Sequence, residues 1–325
     1  MNLSAINKAG GVEGFCIIKA LEKKSTVKGI PYLDMILADS AGEISAKFWD
    51  YKEELQGNFE VGQLVWTRGT VSEYNGADQL RVERLRPVAE SDEVSIADFV
   101  PSAEYSGEEM LREITAVIEF IKDKDIKLLT ASVIDEYKDK LLYWPAAFKL
   151  HHAYRCGLLY HTLSILRLAQ GVCRVYPFVN SDLLFAGVIL HDIAKTGEFE
   201  VPETGIASGY TTDGSLVGHL VRGAMAVEKI GTQLNTPKEL LMLIEHMIIS
   251  HHGEPEFGAA VRPMFLEAEL LAELDLMDSR IYEIAQAVED VAGGEFTARQ
   301  WALDNRKLYN HGRSPSEPKA NLIDK

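Results

Sequence analysis

The run Leu184-Phe185-Ala186-Gly187-Val188-Ile189-Leu190 ends directly on His191-Asp192, and this junction restricts the possible folds more than any other stretch. An uninterrupted apolar run has to be buried, and here it carries a carboxylate in with it. Burying a carboxylate costs several kcal/mol unless a positive partner compensates it. A divalent cation would do so, and further ligand-type residues follow at wide intervals: His161 before the pair, then His219, His251, His252 and Asp278. Adjacent side chains on a regular helix point about 100° apart, so His191 and Asp192 can share one ion only near a helix end. Gly197 and the irregular stretch from Glu198 to Gly209 are expected to supply that end.

The chain of 325 residues has room for two ordinary domains. No apolar stretch approaches the roughly 18–20 residues of a membrane span. The N-terminus lacks the basic-then-apolar order of a signal peptide. Cys16, Cys156 and Cys173 form no paired zinc pattern and suggest no disulfide framework, which favours a cytoplasmic setting without membrane association. The net charge of −16 argues against a broad electrostatic grip on nucleic acid. The excess is uneven, however: residues 1–90 carry 11 basic against 13 acidic groups, or −2, leaving −14 for the remainder. The first ninety residues can therefore meet a polyanion through a local patch.

The hydrophobic period divides the chain. Residues 12 to about 88 alternate as short strands, with turns expected at Ser40-Ala41-Gly42 and Tyr74-Asn75-Gly76 and a short helix near Tyr51–Gln56. Five strands with a helix after the third suggest an OB-type Greek-key barrel over residues 1–90. Residues 91–106 read as a linker. From 107 to 312 the period is helical, with segments at Glu108–Lys122, Lys127–Asp139, Ala153–Val175, Asp182–Ile193, Gly218–Leu234, Pro237–His251, Phe265–Asp290 and Ala298–Leu308. Gly197–Gly214 reads as a long loop, and 313–325 as a flexible tail. The expected fold class is thus multidomain α+β, a five-stranded barrel followed by an all-α domain.

One histidine, a His-Asp pair and a distant aspartate, each on its own helix, resemble the ligand pattern of the HD phosphohydrolase superfamily over roughly residues 145–290. That resemblance implies a first metal held by His161, His191, Asp192 and Asp278, with Asp192 bridging to a second held by His219 and His251, or alternatively His252. Asp275, one turn before Asp278, competes with it, and Asp278 is the favoured choice. Two ions about 3.5–4 Å apart would activate water and clamp the oxygens of a phosphoryl transfer. Asp192 and Lys195, one turn beyond His191, are the expected catalytic residues. His246 could be a ligand or a group orienting one, and a structural role is the preferred reading. His151, His152 and Arg155 could line a substrate entrance, Arg155 taking a phosphate; a solvated face is the competing reading. His311 reads as surface.

On the barrel, Tyr32, Trp49 and Tyr74 are candidates to stack bases, with Lys47, Arg68 and Arg81 on phosphates. Phe48 and Trp49 are neighbours in a strand, so one of them must face outward. The segments Pro31-Tyr32-Leu33, Lys47-Phe48-Trp49-Asp50, Gln79-Leu80-Arg81-Val82, His151-His152-Ala153-Tyr154-Arg155-Cys156-Gly157, Leu216-Val217-Gly218-His219 and Ile249-Ser250-His251-His252-Gly253 together resemble the YhaM-type 3′→5′ exoribonucleases. The resemblance implies a phosphodiesterase using two divalent ions, Mn preferred over Fe, Co, Ni, Mg or Zn. Its substrate would be single-stranded RNA, with single-stranded DNA an open alternative, and its products nucleoside 5′-monophosphates. Assembly as a homo-oligomer is left open. Cys156 stands where that family carries glycine. Two other readings remain: a small-nucleotide phosphohydrolase with a regulatory or oligomerising barrel, and a non-catalytic nucleic-acid-binding protein with a structural metal.

Overall fold

The computed structural model describes residues 11–39, 42–74, 76–148, 152–289, 291–314 and 319–323. Ser40, Ala41, Asn75 and His151, named above, lie outside them. The chain divides into two compact units: one extends to Ser102 and also takes in Val201–Ile206, the other comprises Ala103–Glu200 and resumes at Ala207.

In the first unit, β1 (Gly11–Ser25), β2 (Pro31–Asp39), β3 (Gly42–Trp49), β4 (Leu64–Tyr74) and β5 (Ala77–Pro87) close a barrel in the order β1-β2-β3-β5-β4. A short helix, α1 (Glu53–Gln56), joins β3 to β4. Strand β1 serves two neighbours, Gly11–Ile17 lying against β4 and Ile17–Ser25 against β2, with a register shift between Ile18 and Ala20. Such an irregularity bends a strand enough to turn a barrel corner. Among the described residues of the barrel, only β3 and β5 pair in parallel. This is the OB-type connectivity.

The period of two sets the barrel's inside: Leu33, Met35 and Leu37 of β2 and Ile44, Ala46 and Phe48 of β3 are all buried. Because Phe48 points in, Trp49 points out. At Gly69 a Cβ would fall 2.2 Å from Arg81 O, so only glycine lets β4 approach β5 this closely.

The second unit is helical: α2 (Gly107–Phe120), α3 (Lys124–Leu141), α4 (Gly157–Val175), α5 (Ser181–Leu190), then α8 (Gly218–Leu234), α9 (Lys238–Ser250) and α10 (Leu266–Glu289). Helix α5 is apolar all round and packs against α3, α4, α9 and α10, as a helix without a polar face must. Its entry is set by the Asn180 side chain, which accepts from Leu183 N at 3.1 Å. Its exit therefore falls inside the protein, and His191 is its C-cap.

Several boundaries differ from the sequence reading. The helix expected from Ala153 begins at Gly157, because Cys156 adopts a left-handed φ of 62° and a Cβ at position 157 would lie 2.0 Å from His152 O. A left-handed conformation explains why glycine suits position 156; here the thiol donates to Leu142 O at 3.0 Å. The expected loop Gly197–Gly214 holds structure: α6 (Lys195–Glu198), a hairpin of β6 (Phe199–Glu200) with β7 (Gly209–Tyr210), and the start of α7 (Thr212–Leu216). Gly197 thus lies within α6, and α5 ends earlier than it would require.

The expected helix Ala298–Leu308 is instead a turn closed by antiparallel bridges Phe296↔Tyr309 and Gln300↔Arg306. Positive φ angles at Asp304 (55°) and Asn305 (58°) interrupt any helix there. The expected linker contains two 3-10 turns, Glu90–Asp92 and Ile96–Asp98. The tail, read as flexible, is anchored at its described end: Arg167 Nε donates to Leu322 O at 2.8 Å, and Leu322 is buried. Among the described residues, no helix is long and apolar enough to cross a membrane.

Candidate metal centre and strand-binding face

Four histidines, His161, His191, His219 and His251, surround Asp192, His252 lies beside His251, and each of the five has its Nδ1 committed elsewhere. His191 Nδ1 donates to Val188 O at 2.8 Å and His251 Nδ1 to Ile248 O at 2.7 Å, each within the last turn of its own helix. His252 Nδ1 donates to Phe257 O at 2.9 Å. His219 Nδ1 lies 2.8 Å from Glu198 Oε2, and His161 Nδ1 2.8 Å from Asp278 Oδ2. A ring nitrogen facing a carbonyl or carboxylate carries the proton, so these contacts turn each Nε2 toward the common centre.

Around Asp192 the spacing is that of donors converging on a point. His191 Nε2 is 3.3 Å and His161 Nε2 3.7 Å from Asp192 Oδ2; His219 Nε2 is 3.4 Å and His251 Nε2 3.5 Å from Oδ1. His191 Nε2, His219 Nε2 and Asp192 Oδ1 are buried without a hydrogen-bond partner. Native proteins rarely leave such atoms unsatisfied. A cation is what this donor set fits. Ligand atoms fall within 4.8 Å of one another in His161/His191/Asp192, in His191/His251/Asp275 and in His219/His251/His252.

Lys195 Nζ donates to Asp192 Oδ2 at 2.6 Å, and its backbone carbonyl accepts from Trp144 Nε1 at 2.8 Å. Burial alone would raise the Asp192 pKa, but Lys195 and His191 outweigh it and hold the carboxyl well below its ordinary range. At His161, burial would depress the imidazole; Asp275 and Asp278 on either side of the ring reverse this and push it up to about 10.

The two candidate aspartates of α10 occupy different sides of His161. Asp275 Oδ1 is 3.1 Å from His161 Nε2, the nitrogen that faces the centre. Asp278 lies behind the ring on the Nδ1 side, where it also accepts from His152 Nε2 at 3.0 Å and from the Ser164 hydroxyl. The preferred aspartate, Asp278, thus groups with His152 and His161, ligand atoms within 4.8 Å of one another, whereas Asp275 groups with His191 and His251.

His152, buried with φ of 54°, reaches Asp278 and the Tyr154 hydroxyl rather than the centre. His246 Nε2 accepts from Met264 N at 3.0 Å and belongs to none of the ligand groups. Arg155 stacks over the Tyr143 ring at 5.6 Å. His311 is exposed. Glu198, which fixes His219, carries no motif that would single it out in sequence.

On the barrel, the outer faces of β2, β3 and β5 bring together Tyr32, Lys47, Trp49 and Arg81. Tyr32 and Trp49 pair across strands with ring centroids 4.5 Å apart, and Lys47 Nζ lies 5.2 Å and 5.8 Å from those centroids. Arg81 is in register with Lys47 on the neighbouring strand and is exposed. Lys47 is also 3.3 Å from Asp34. Arg68 and Tyr74 are exposed but stand apart from this group on β4, Arg68 between Glu13 and Arg84. A second stack sets Arg86 over the ring of Trp66 at 5.3 Å.

An OB-type barrel joined to a helical unit with a His/Asp cluster around a helix-terminal His-Asp pair defines an HD-domain hydrolase with an attached barrel module. The HD domain family matches residues 158–280. A 3′-5′ exoribonuclease YhaM of Listeria monocytogenes serotype 4b is 38% identical over 299 residues, covering 92% of this chain and 95% of that protein. One of Bacillus licheniformis is 36% identical, covering 92% and 94% respectively. The second OB-fold domain of replication protein A from Methanococcus maripaludis is 17% identical with a TM-score of 0.22, covering 29% of this chain and 96% of that one. The chain belongs to the YhaM 3′-5′ exoribonuclease family.

Proposed function

We propose that this protein is a metal-dependent 3′→5′ exonuclease that degrades single-stranded RNA, and in the wider reading single-stranded DNA, to nucleoside 5′-monophosphates. The observation that carries the reading is the set of imidazoles whose Nδ1 atoms are fixed so that the Nε2 atoms converge on Asp192. His161, His191, Asp192 and Asp275 would hold one divalent ion; Asp192, His219 and His251, with His252 alongside, would hold a second. Manganese is the ion favoured, and the mixed imidazole–carboxylate set suits Fe, Co, Ni, Mg or Zn as well. When bound, such ions polarise a phosphoryl oxygen and lower the pKa of water toward about 7.

Lys195 holds Asp192 ionised and places one positive charge beside the position of a phosphate. Residues 1–90 act as the strand-binding module: Tyr32 and Trp49 present ring faces to bases, and Lys47 and Arg81 present charge to phosphates. Residues 107–312 carry the hydrolytic centre.

The test is digestion of 5′-end-labelled RNA with added manganese, with elemental analysis of the purified protein. A ladder shortening from the 3′ end with mononucleotide release is expected. Asp192→Ala should lower turnover by more than about a thousandfold while strand binding persists. Hydrolysis of free nucleotides with intact RNA would favour the small-nucleotide reading and overturn this one.

A further inference from the structure

The segment 296–313 is basic within an acidic protein. Four cations (Arg299, Arg306, Lys307 and Arg313) stand against one carboxylate, Asp304, giving +3 in a chain of −16. All four cations are exposed. Their neutralisation is slight: Arg306 lies 3.7 Å from Asp304, and Arg299 donates to the Asn305 carbonyl. Among them stand three exposed aromatic side chains, Phe296 (62% exposed), Trp301 (76%) and Tyr309 (51%).

The segment is built to keep those rings outward. Phe296 and Tyr309 face each other across the bridge with centroids 4.9 Å apart. Thr297 N donates to Leu308 O at 2.9 Å and Gln300 N to Arg306 O at 2.8 Å, while Thr297 and Leu303 take the inner side. Asn310 Nδ2 donates to Val291 O at 2.6 Å and Val288 O at 3.3 Å, fastening the turn to the end of α10. The same helix carries Asp275 roughly 20 Å earlier, at 1.5 Å per residue.

We propose that residues 296–313 form a second platform for single-stranded nucleic acid, separate from the barrel and carried on the hydrolytic unit itself. Exposed ring faces interleaved with unspent cations are what a single strand requires, stacking for its bases and charge for its phosphates. An apolar protein partner would have no use for the cations, and a +3 patch on a −16 chain marks a polyanion as its complement. The platform rests on the exonuclease reading for its purpose, but its binding can be measured without turnover.

The experiment uses the full chain with EDTA and a single-stranded RNA homopolymer of about 20 nucleotides, longer than one barrel's site. Trp301→Ala should raise Kd about tenfold, the loss of one stacked base. Lys307→Ala should lower the slope of log K against log salt by about 0.7. Thermal unfolding and molar mass, read alongside, should match the parent protein. Unchanged Kd and slope in both variants would overturn the proposal, as would a parent protein that binds no strand. A fall in molar mass would also overturn it, by making the surface a contact between copies. If the variants weaken binding as expected but the parent never cleaves the strand, the exonuclease reading fails and the platform stands.

Discussion

At the scale of single residues, the division of labour around His161 is the most consequential detail. Asp275 and Asp278 are one turn apart on α10, so they share a face and their spacing could not separate their roles. What separates them is which nitrogen of one ring each meets, a tertiary fact. Asp275→Asn should remove a direct donor and reduce metal uptake by well over about a hundredfold. Asp278→Asn should cost about 10–100-fold in metal affinity, the usual effect of losing a group that orients a ligand, and excess metal should restore its turnover. Calorimetric titration of both variants checks this; equal losses would make Asp278 a direct ligand as well. Nitrogens of His161, His191, His219 and His251 lie 3.3–3.7 Å from the Asp192 carboxylate because each residue sits on an apolar helix face or end that burial carries inward.

At the scale of elements, α5 was legible since a helix apolar on every side has only one place to go. The turn at 296–309 was not: Trp301 and Leu308 fit a helical period, yet Trp301 is exposed and Leu303 is the buried side chain. The pairing of α8 with α9 brings Glu228 and Glu245 together. Burial, then the hydrogen bond and repulsion from Glu228, push the Glu245 carboxyl up to about 7. In the folded protein Glu245 keeps its proton to about pH 7, whereas unfolded it loses it near 4.5. The folded state thus binds more protons between these values, and stability falls as pH rises through that window. Glu245→Gln should leave the melting temperature unchanged at pH 4. At pH 8 it should raise it by about 2–4 °C, corresponding to about 1 kcal/mol once solvent screening of this half-exposed group is allowed for. A shift of the same size at both pH values would exclude this origin.

At the scale of the whole molecule, the anchoring of His191 and His251 to carbonyls three residues earlier has a consequence for assembly. These two rings take their aim from the helices that bear them, so the cage is expected to form without an ion. Loading then resembles filling a mould. Stripping the ions with a chelator should leave the far-ultraviolet circular dichroism unaltered, while melting shifts downward in proportion to the logarithm of ion concentration, as a ligand of the native state alone dictates. Loss of helicity on chelation would mean that the ion shapes its own nest.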